Sequence, residues 1–307
     1  MQHLRIASRQ SKLALWQAEW VRAELLKRHP SLEIEIIGIT TEGDRRLDVS
    51  LSKIGGKGLF IKELETALLE NRADIAVHSL KDMPTEQPPG LTLAAYCQRH
   101  DPRDVLLAKI PELKEDALIG TSSFRRQLQI KAIMPHCRVN VLRGNIDTRI
   151  RKMLEGEYDG IILAAAGIER LGLTQHAIRY FTTHEFIPTA GQGALAIECR
   201  RDDKTCLGFL NPLNHADTLT CITAERAVVK TLEGDCKTPI GAYAEIIGHD
   251  TLNLRALVGL PDASAILTTE VTGHRNDAYR LGELAAKQLL KDGAQGIIKK
   301  CQELAIQ

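Results

Sequence analysis

The stretch DALIGTSSFRRQ, residues 116–127, decides the fold. Its first half is an apolar run of strand length, and Thr121–Ser122–Ser123 then supply the hydroxyls that commonly open a helix. The helix carries Arg125 to about Ile133, and Pro135 ends it. Working outward, RVNVLRG reads as a strand, NIDTRIRKMLEG as a helix and DGIILAAAG as another strand. The N-terminal third repeats this layout. HLRIA (3–7) is a strand, Ser8–Arg9 follows, and a helix runs from about Ser11 to Arg28, with Pro30 beyond it. SLEIEIIGIT is the next strand. Residues 42–58 are charged and glycine-rich, a helix spans about Phe60 to Asn71, and ADIAVHS is a third strand ending at Ser79–Leu80–Lys81–Asp82. Alternating strand and helix implies mainly parallel sheets, here in two α/β lobes expected to face each other across a cleft.

After PTAGQGALAIECR the texture changes. A helix (TLTCITAERAVVKTLEG) precedes strands with alternating polarity (AYAEIIG, TLNLRALVG, AILTTEVTG), then an amphipathic helix from Asn276 to about Lys291. This is a smaller α+β domain with an antiparallel sheet. At 307 residues the chain has room for such domains, and 44% hydrophobic with 26% charged residues excludes a disordered one. Aromatics at 4% argue against single-stranded nucleic acid as partner. No apolar run spans a bilayer and the first residues lack the apolar core of a signal peptide, so a cytoplasmic protein is expected.

Net charge is only +1, yet cations are concentrated between Thr121 and Lys152. Arg125, Arg126, Lys131, Arg138, Arg143, Arg149, Arg151 and Lys152 face the single acid Asp147. Such a local excess on a near-neutral chain suits a particular small anion. Hydroxyls at a helix start, with guanidinium forks in its first turn and at the next strand end, suit a carboxylate or phosphate; simple capping is the competing reading. Ser8–Arg9–Ser11 repeats that arrangement on the other lobe. Lys81–Asp82, at a strand end, reads equally as catalytic or as an exposed pair. GGKG (55–58) lacks the spacing of a phosphate-binding loop and reads as a mobile loop. Trp16 and Trp20, four apart on one helix, read as core, and His78 as a satisfied core histidine. Glu42, Asp44 and Asp48 form a charged loop without a metal role.

The seven cysteines form no CxxC pair, and the histidines do not recur at metal-ligand spacing, so no metal site is expected. Cys236 stands apart, in the turn LEGDCKTPIGAY. From the residues alone it is a nucleophile, a metal ligand or an anchor.

IASRQSKLALWQ, GGKGLFIKELE, DIAVHSLKDMP, DPRDVLL, GTSSFRRQ, LRGNIDTR, EYDGIILAAAGIERLGL, PTAGQGALAIECR and LEGDCKTPIGAY, in that order, resemble the porphobilinogen deaminase (hydroxymethylbilane synthase) family along essentially the whole chain. The resemblance implies a monomeric cytosolic transferase of tetrapyrrole (heme, porphyrin) biosynthesis that condenses four porphobilinogens head to tail, releases ammonia, and hydrolyses the product to hydroxymethylbilane. It implies two lobes like those of periplasmic binding proteins, residues 1–98 with 194–212 and residues 99–193, and a C-terminal domain over 213–307. It implies a dipyrromethane primer joined through a thioether at Cys236, and Asp82 as the catalytic aspartate. Carboxylates of primer and substrate would be received by Arg9, Ser11, Ser79, Lys81, Thr121, Ser122, Ser123, Arg125, Arg126, Arg143, Asn145, Arg149, Arg170 and Gln192. Lys57 and Phe60 would belong to a loop covering the cleft. Asp235, Lys237 and Phe124 depart from the residues usual at those positions. The competing reading is a two-lobed anion-binding or effector-binding protein without chemistry, which the same fold would serve. The partners expected are porphobilinogen and the growing polypyrrole, with no nucleic acid and no membrane.

Overall fold

A computed structural model of the chain describes residues 3–45, 58–234 and 238–304. It separates into two units, one of described residues 3–45, 58–100 and 193–219, the other of 101–192 and 220–304.

In the first unit β1 (His3–Arg9) lies parallel to both β2 (Glu33–Ile39) and β3 (Ile75–Ser79). β4 (Leu91–Tyr96) and β10 (Leu195–Arg200) complete the sheet in the order β2-β1-β3-β10-β4. β10 returns from far along the chain and runs antiparallel to both its neighbours. Helices α1 (Lys12–Arg28), α2 (Glu42–Arg45), α3 (Lys62–Leu69) and α7 (Lys204–Leu210) accompany it. α1 forms where the sequence indicates: Ser11 caps it by accepting from the Ala14 amide at 3.3 Å, and Lys27 and Arg28 sit at its negative end. Its buried stripe of Ala14, Ala18, Val21 and Leu25 has helical spacing and covers one face of the sheet, together with Leu4, Ile6, Ile75 and Val77. Leu64, Ala67 and Leu68 of α3 cover the other.

The second unit contains the other α/β lobe. Its strands are β5 (Asp104–Ala108), β6 (Leu118–Gly120), β7 (Arg138–Asn140), β8 (Gly160–Ala164) and β9 (Ala177–Tyr180), in the order β7-β6-β8-β5-β9. β6 is parallel to β7 and β8, whereas β5 is antiparallel to β8 and β9. The repeat visible in the sequence is thus a repeat of topology, with the fourth strand of each sheet reversed. Helices α4 (Phe124–Ile133), α5 (Ile146–Leu154) and α6 (Ala165–Arg170) follow β6, β7 and β8. Phe181 and Phe186, both fully buried, stack with ring centroids 4.6 Å apart in this lobe's core.

The rest of the unit is the antiparallel sheet β11-β12-β13 (Ile240–Ile247, Thr251–Gly259, Ile266–His274) with helices α8 (Ala216–Thr231), α9 (Ala278–Lys291) and α10 (Ala294–Leu304). α8, α9 and α10 enclose a core of their own with β11 and β12. α9 packs tightly on α8: a Cβ added to Gly282 would lie 2.3 Å from the Ala224 carbonyl oxygen, so only glycine fits. Leu128, Ile187 and Leu257 join this domain to the lobe.

Some boundaries depart from the sequence reading. RVNVLRG is strand only through Asn140, because the chain then turns outward, with Leu142 O taken by the Ser122 hydroxyl and Gly144 at φ 107°. DGIILAAAG is strand to Ala164 and helix thereafter. α10, and β4 and β5 as sheet members, were not expected, and the return of the chain to the first lobe at β10 was implied by the family resemblance alone. Short, fully apolar runs such as Asp104–Ala108 carry no period to mark them.

Candidate functional site

The C-terminal ends of β1 and β3 and the N-terminus of α1 lie at one edge of the first sheet, where open α/β sheets place their ligands. They surround a cavity of about 100 Å³. Arg9, Ser11, Phe60, Ser79, Lys81 and Asp82, six of the residues singled out in the sequence, all line it. β3 ends at Ser79, and the 3-10 turn Leu80–Asp82 swings Lys81 and Asp82 onto the rim, with Leu80 buried beneath as the turn's anchor. Asp82 is exposed at that rim. Gln17, buried on α1, donates its Nε2–H to Ser79 Oγ at 2.9 Å.

Arg9 is held from two sides. Its guanidinium lies 4.2 Å from the Phe60 ring centroid, a cation–π contact, and pairs with Asp44 through Nη2 and, at 3.2 Å, Nε. Asp44 in turn accepts from the Thr41 hydroxyl at 2.8 Å. Burial alone would raise the Asp44 carboxyl, but the hydrogen bonds from Arg9 and Thr41 outweigh it and hold it below the usual range. Phe60 also rests on Gly43, where a Cβ would stand 2.3 Å from a ring carbon.

The cavity wall includes His78, whose Nε2 is 3.1 Å from Glu198 Oε2 on β10, with both side chains buried. His78 is thus the satisfied core histidine expected. Trp16 and Trp20 both set ring edges against His100, as packing residues. Gln17, Asp44 and Glu198 were missed in the sequence. Gln17 reads as one more position on an amphipathic helix, Asp44 hides in a charged loop, and Glu198 becomes significant only through β10's antiparallel register, which aligns Ala196 with His78.

The second unit presents an equivalent edge. Ser123 caps α4, its Oγ accepting from the Arg126 amide at 3.4 Å, and Thr121 Oγ1 accepts from the Ser123 amide at 3.2 Å. The Thr121 amide reaches Asn140 O at 3.0 Å and the Ser122 hydroxyl reaches Leu142 O, so the ends of β6 and β7 are tied together and Arg143 is brought beside the start of α4. Arg143 is half-buried, and that burial pulls its pKa below the ordinary guanidinium value. Asn145 caps α5 without a side-chain bond, and Arg149 folds back to give Nε–H to Gly144 O at 2.7 Å.

Arg125 and Arg126 are directed inward. Both grip the fully buried Asp104, Arg125 through Nη2 and Arg126 through Nε, each at 2.8 Å. Their Nη1 groups donate to Ile187 O at 2.8 Å and Ile162 O at 2.9 Å. Burial lowers the Arg125 pKa despite Asp104. Two buried guanidiniums on one carboxylate leave a net positive charge beneath the α4 N-terminus, whose dipole adds to it. Arg170, buried, sits in the last turn of α6. Gln192, also buried, clamps the turn before β10 by donating to Pro102 O at 2.8 Å and Arg103 O at 3.3 Å. Lys57 and Cys236, with Asp235 and Lys237, lie outside the described residues. The other six cysteines are buried.

Two family models match the sequence: "Porphobilinogen deaminase, dipyromethane cofactor binding domain" over residues 4–207 and "Porphobilinogen deaminase, C-terminal domain" over residues 219–291. Among solved structures, the chain is similar to the periplasmic aliphatic sulphonate binding protein SsuA from Escherichia coli (11% identity, 98% of this chain and 91% of that one, TM-score 0.43). It is also similar to YhfZ from Shigella flexneri (14% identity, 76% and 93%, TM-score 0.39) and to the VFT2 domain of Bordetella pertussis BvgS (13% identity, 69% and 86%, TM-score 0.39).

Proposed function

Because this chain belongs to the porphobilinogen deaminase family, we propose that it condenses four porphobilinogens head to tail, releases ammonia, and hydrolyses the product to the linear tetrapyrrole hydroxymethylbilane. The observation that carries this reading is the cavity that gathers Arg9, Ser11, Ser79, Lys81 and Asp82 in one unit. Each porphobilinogen bears an acetate and a propionate. Arg9, Lys81 and the capped start of α1 supply cation and N–H donors for those carboxylates. Asp82 offers its carboxylate to the pyrrole N–H and relays protons to the leaving amine. As the aminomethyl C–N bond breaks, its negative charge stabilises the methylene-pyrrole cation of the substrate. No side chain needs to act as nucleophile in the condensation. Phe60 covers the reacting ring and limits water.

The matched family model is named for a dipyrromethane cofactor, and the donor set of the second unit suits one. Its carboxylates would be held by Thr121, Ser122, Ser123, Arg143, Asn145 and Arg149, with Arg125, Arg126, Arg170 and Gln192 shaping and charging the site from beneath. When bound, this group supplies the free pyrrole α-carbon at which chain growth starts. Cys236 is its thioether anchor in this reading. The burial of the other six cysteines supports that choice: burial pushes the Cys199 and Cys301 thiols up to about 11, and a protonated buried thiol is a poor nucleophile. No helix of the described residues is long and apolar enough to cross a membrane. The monomeric, cytoplasmic state belongs to this proposal.

The test is incubation of the purified protein with porphobilinogen, following ammonia and hydroxymethylbilane. Four ammonia molecules per tetrapyrrole are expected. Tight porphobilinogen binding without ammonia release would favour a two-lobed binding protein instead.

A further inference from the structure

Arg9, at the end of β1, lines the first unit's cavity, yet its charge is already matched from within the protein. Asp44 takes the edge of the guanidinium formed by Nε and Nη2, one of the two edges at which arginine binds a carboxylate through two bonds. The two side chains are only 21% and 19% exposed, so water screens the pair poorly. Phe60 covers a face of the same guanidinium, 4.2 Å from its ring centroid.

Asp44 does not depend on Arg9 for its place. The Thr41 hydroxyl donates to Asp44 Oδ2 at 2.8 Å and the Thr41 amide at 3.3 Å, and Thr41 is fully buried. The short α2 that carries Asp44 is fastened by the Glu42 amide, which donates to Glu63 Oε1 at 2.7 Å. The Gly43 amide fastens it again, donating to Leu59 O at 2.9 Å. A carboxylate held this way keeps two donors when the guanidinium turns to another anion.

The chemistry proposed above makes a demand on Arg9 that simple binding does not, and the role given to Asp44 rests on that reading. Four substrates arrive in succession, each with two carboxylates, and one cation must grip and then release each in turn. A guanidinium partly withdrawn from water and lacking a counter-charge would grip strongly and release slowly. A fixed carboxylate beside it changes that balance. Gripping then breaks one ion pair to form another, release restores the first, and Arg9 is never left as a bare charge.

We propose that Asp44 is the exchange partner of Arg9. Its carboxylate occupies the guanidinium between substrates, yields it to a carboxylate of each arriving porphobilinogen, and takes it back as the added ring moves on. Asp44 is thus a positioning residue that acts through Arg9 and sets how loosely the cavity holds acidic ligands. A pyrrole without carboxylates has nothing with which to displace it, so the exchange also selects for acid-bearing rings.

Two variants with effects of opposite sign test this, each confirmed by mass to carry its primer. Asp44→Asn keeps the shape of the side chain and removes its charge. It is expected to lower KM for porphobilinogen about tenfold, and to lower kcat as well because each ring is released more slowly. Raising salt from about 0.05 M to about 0.5 M should raise KM more steeply in this variant than in the wild type, since Arg9 then meets the substrate as an uncompensated cation. Thr41→Val leaves both charges in place but removes a donor that receives the displaced Asp44, and should raise KM about threefold. A structural role would move both KM values in the same direction. A KM for Asp44→Asn that is unchanged or raised overturns the exchange and leaves Asp44 only aiming Arg9. If Asp44→Asn does not fold, a KM for Thr41→Val that is unchanged or lowered contradicts the proposal by itself. A wild type that consumes no porphobilinogen refutes the proposed function, whereas normal wild-type turnover with KM shifts of the same sign refutes only the part given to Asp44.

Discussion

Asp82 sits on a three-residue turn anchored by the buried Leu80, and its exposed carboxylate holds up no core. Its replacement is therefore expected to separate chemistry from folding. Asp82→Asn should keep the melting temperature of the wild type while losing at least about 100-fold in kcat, since the isosteric amide cannot offer negative charge to a forming cation. Turnover within about twofold of the wild type would remove Asp82 from the mechanism. The identity of this residue was legible in HSLKDMP, because a polar pair directly after an apolar strand marks a sheet edge. The sequence left open whether it is a catalytic group or a surface pair, and the structure places it at a cavity with Arg9 and Ser79. Asp44 shows the limit of such reading. Its ion pair with Arg9 spans 35 residues, and no local pattern announces it.

Helix α4 shows how much of one motif belongs to the framework. The stretch TSSFRRQ was legible as a helix start with cations, and it is one, with Ser123 as cap. The direction of the two arginines was not legible, because Asp104, the residue that turns them inward, belongs to a strand some twenty positions earlier and pairs only after the sheet forms. Two substitutions separate the roles. Asp104→Ala leaves two guanidiniums buried without a counter-charge and should destabilise the second unit by about 3–5 kcal/mol in urea melts. Arg143→Ala, at a half-buried strand end, should leave the melt within about 0.5 kcal/mol of the wild type while impairing primer retention or chain elongation. Equal loss of stability in both variants would mean that Arg143, too, is part of the framework.

Across the whole molecule, the alternation of strand and helix in each lobe was legible in the sequence repeat, and the C-terminal meander in its alternating polarity. The reversed strands β5 and β10 did not show, since buried strands of either direction read alike. Acid should act mainly through the aspartates. Burial alone would raise Asp74, but hydrogen bonds from Arg5 and Arg200 prevail and hold it below the usual range; Asp44 and Asp203 are lowered as well. A carboxylate depressed on folding contributes stability above its unfolded pKa and loses it as pH falls through the folded one. Glu65, raised by burial, works in the opposite sense, losing stability as pH rises from its unfolded value through its raised one. The melting temperature is thus expected to fall below about pH 5, and less steeply in Asp74→Asn. An unchanged slope in that variant would show that the Arg5–Asp74–Arg200 cluster does not carry the acid response.

The reading of this protein as an enzyme that builds a pyrrole chain on a permanent sulfur-linked primer is tested most directly by weighing it. Intact-protein mass spectrometry, followed by peptide mapping, should find the purified chain heavier than its sequence by one dipyrromethane, with the added mass on the peptide that contains Cys236. A protein of unmodified mass that nonetheless converts porphobilinogen to hydroxymethylbilane at full rate would contradict it.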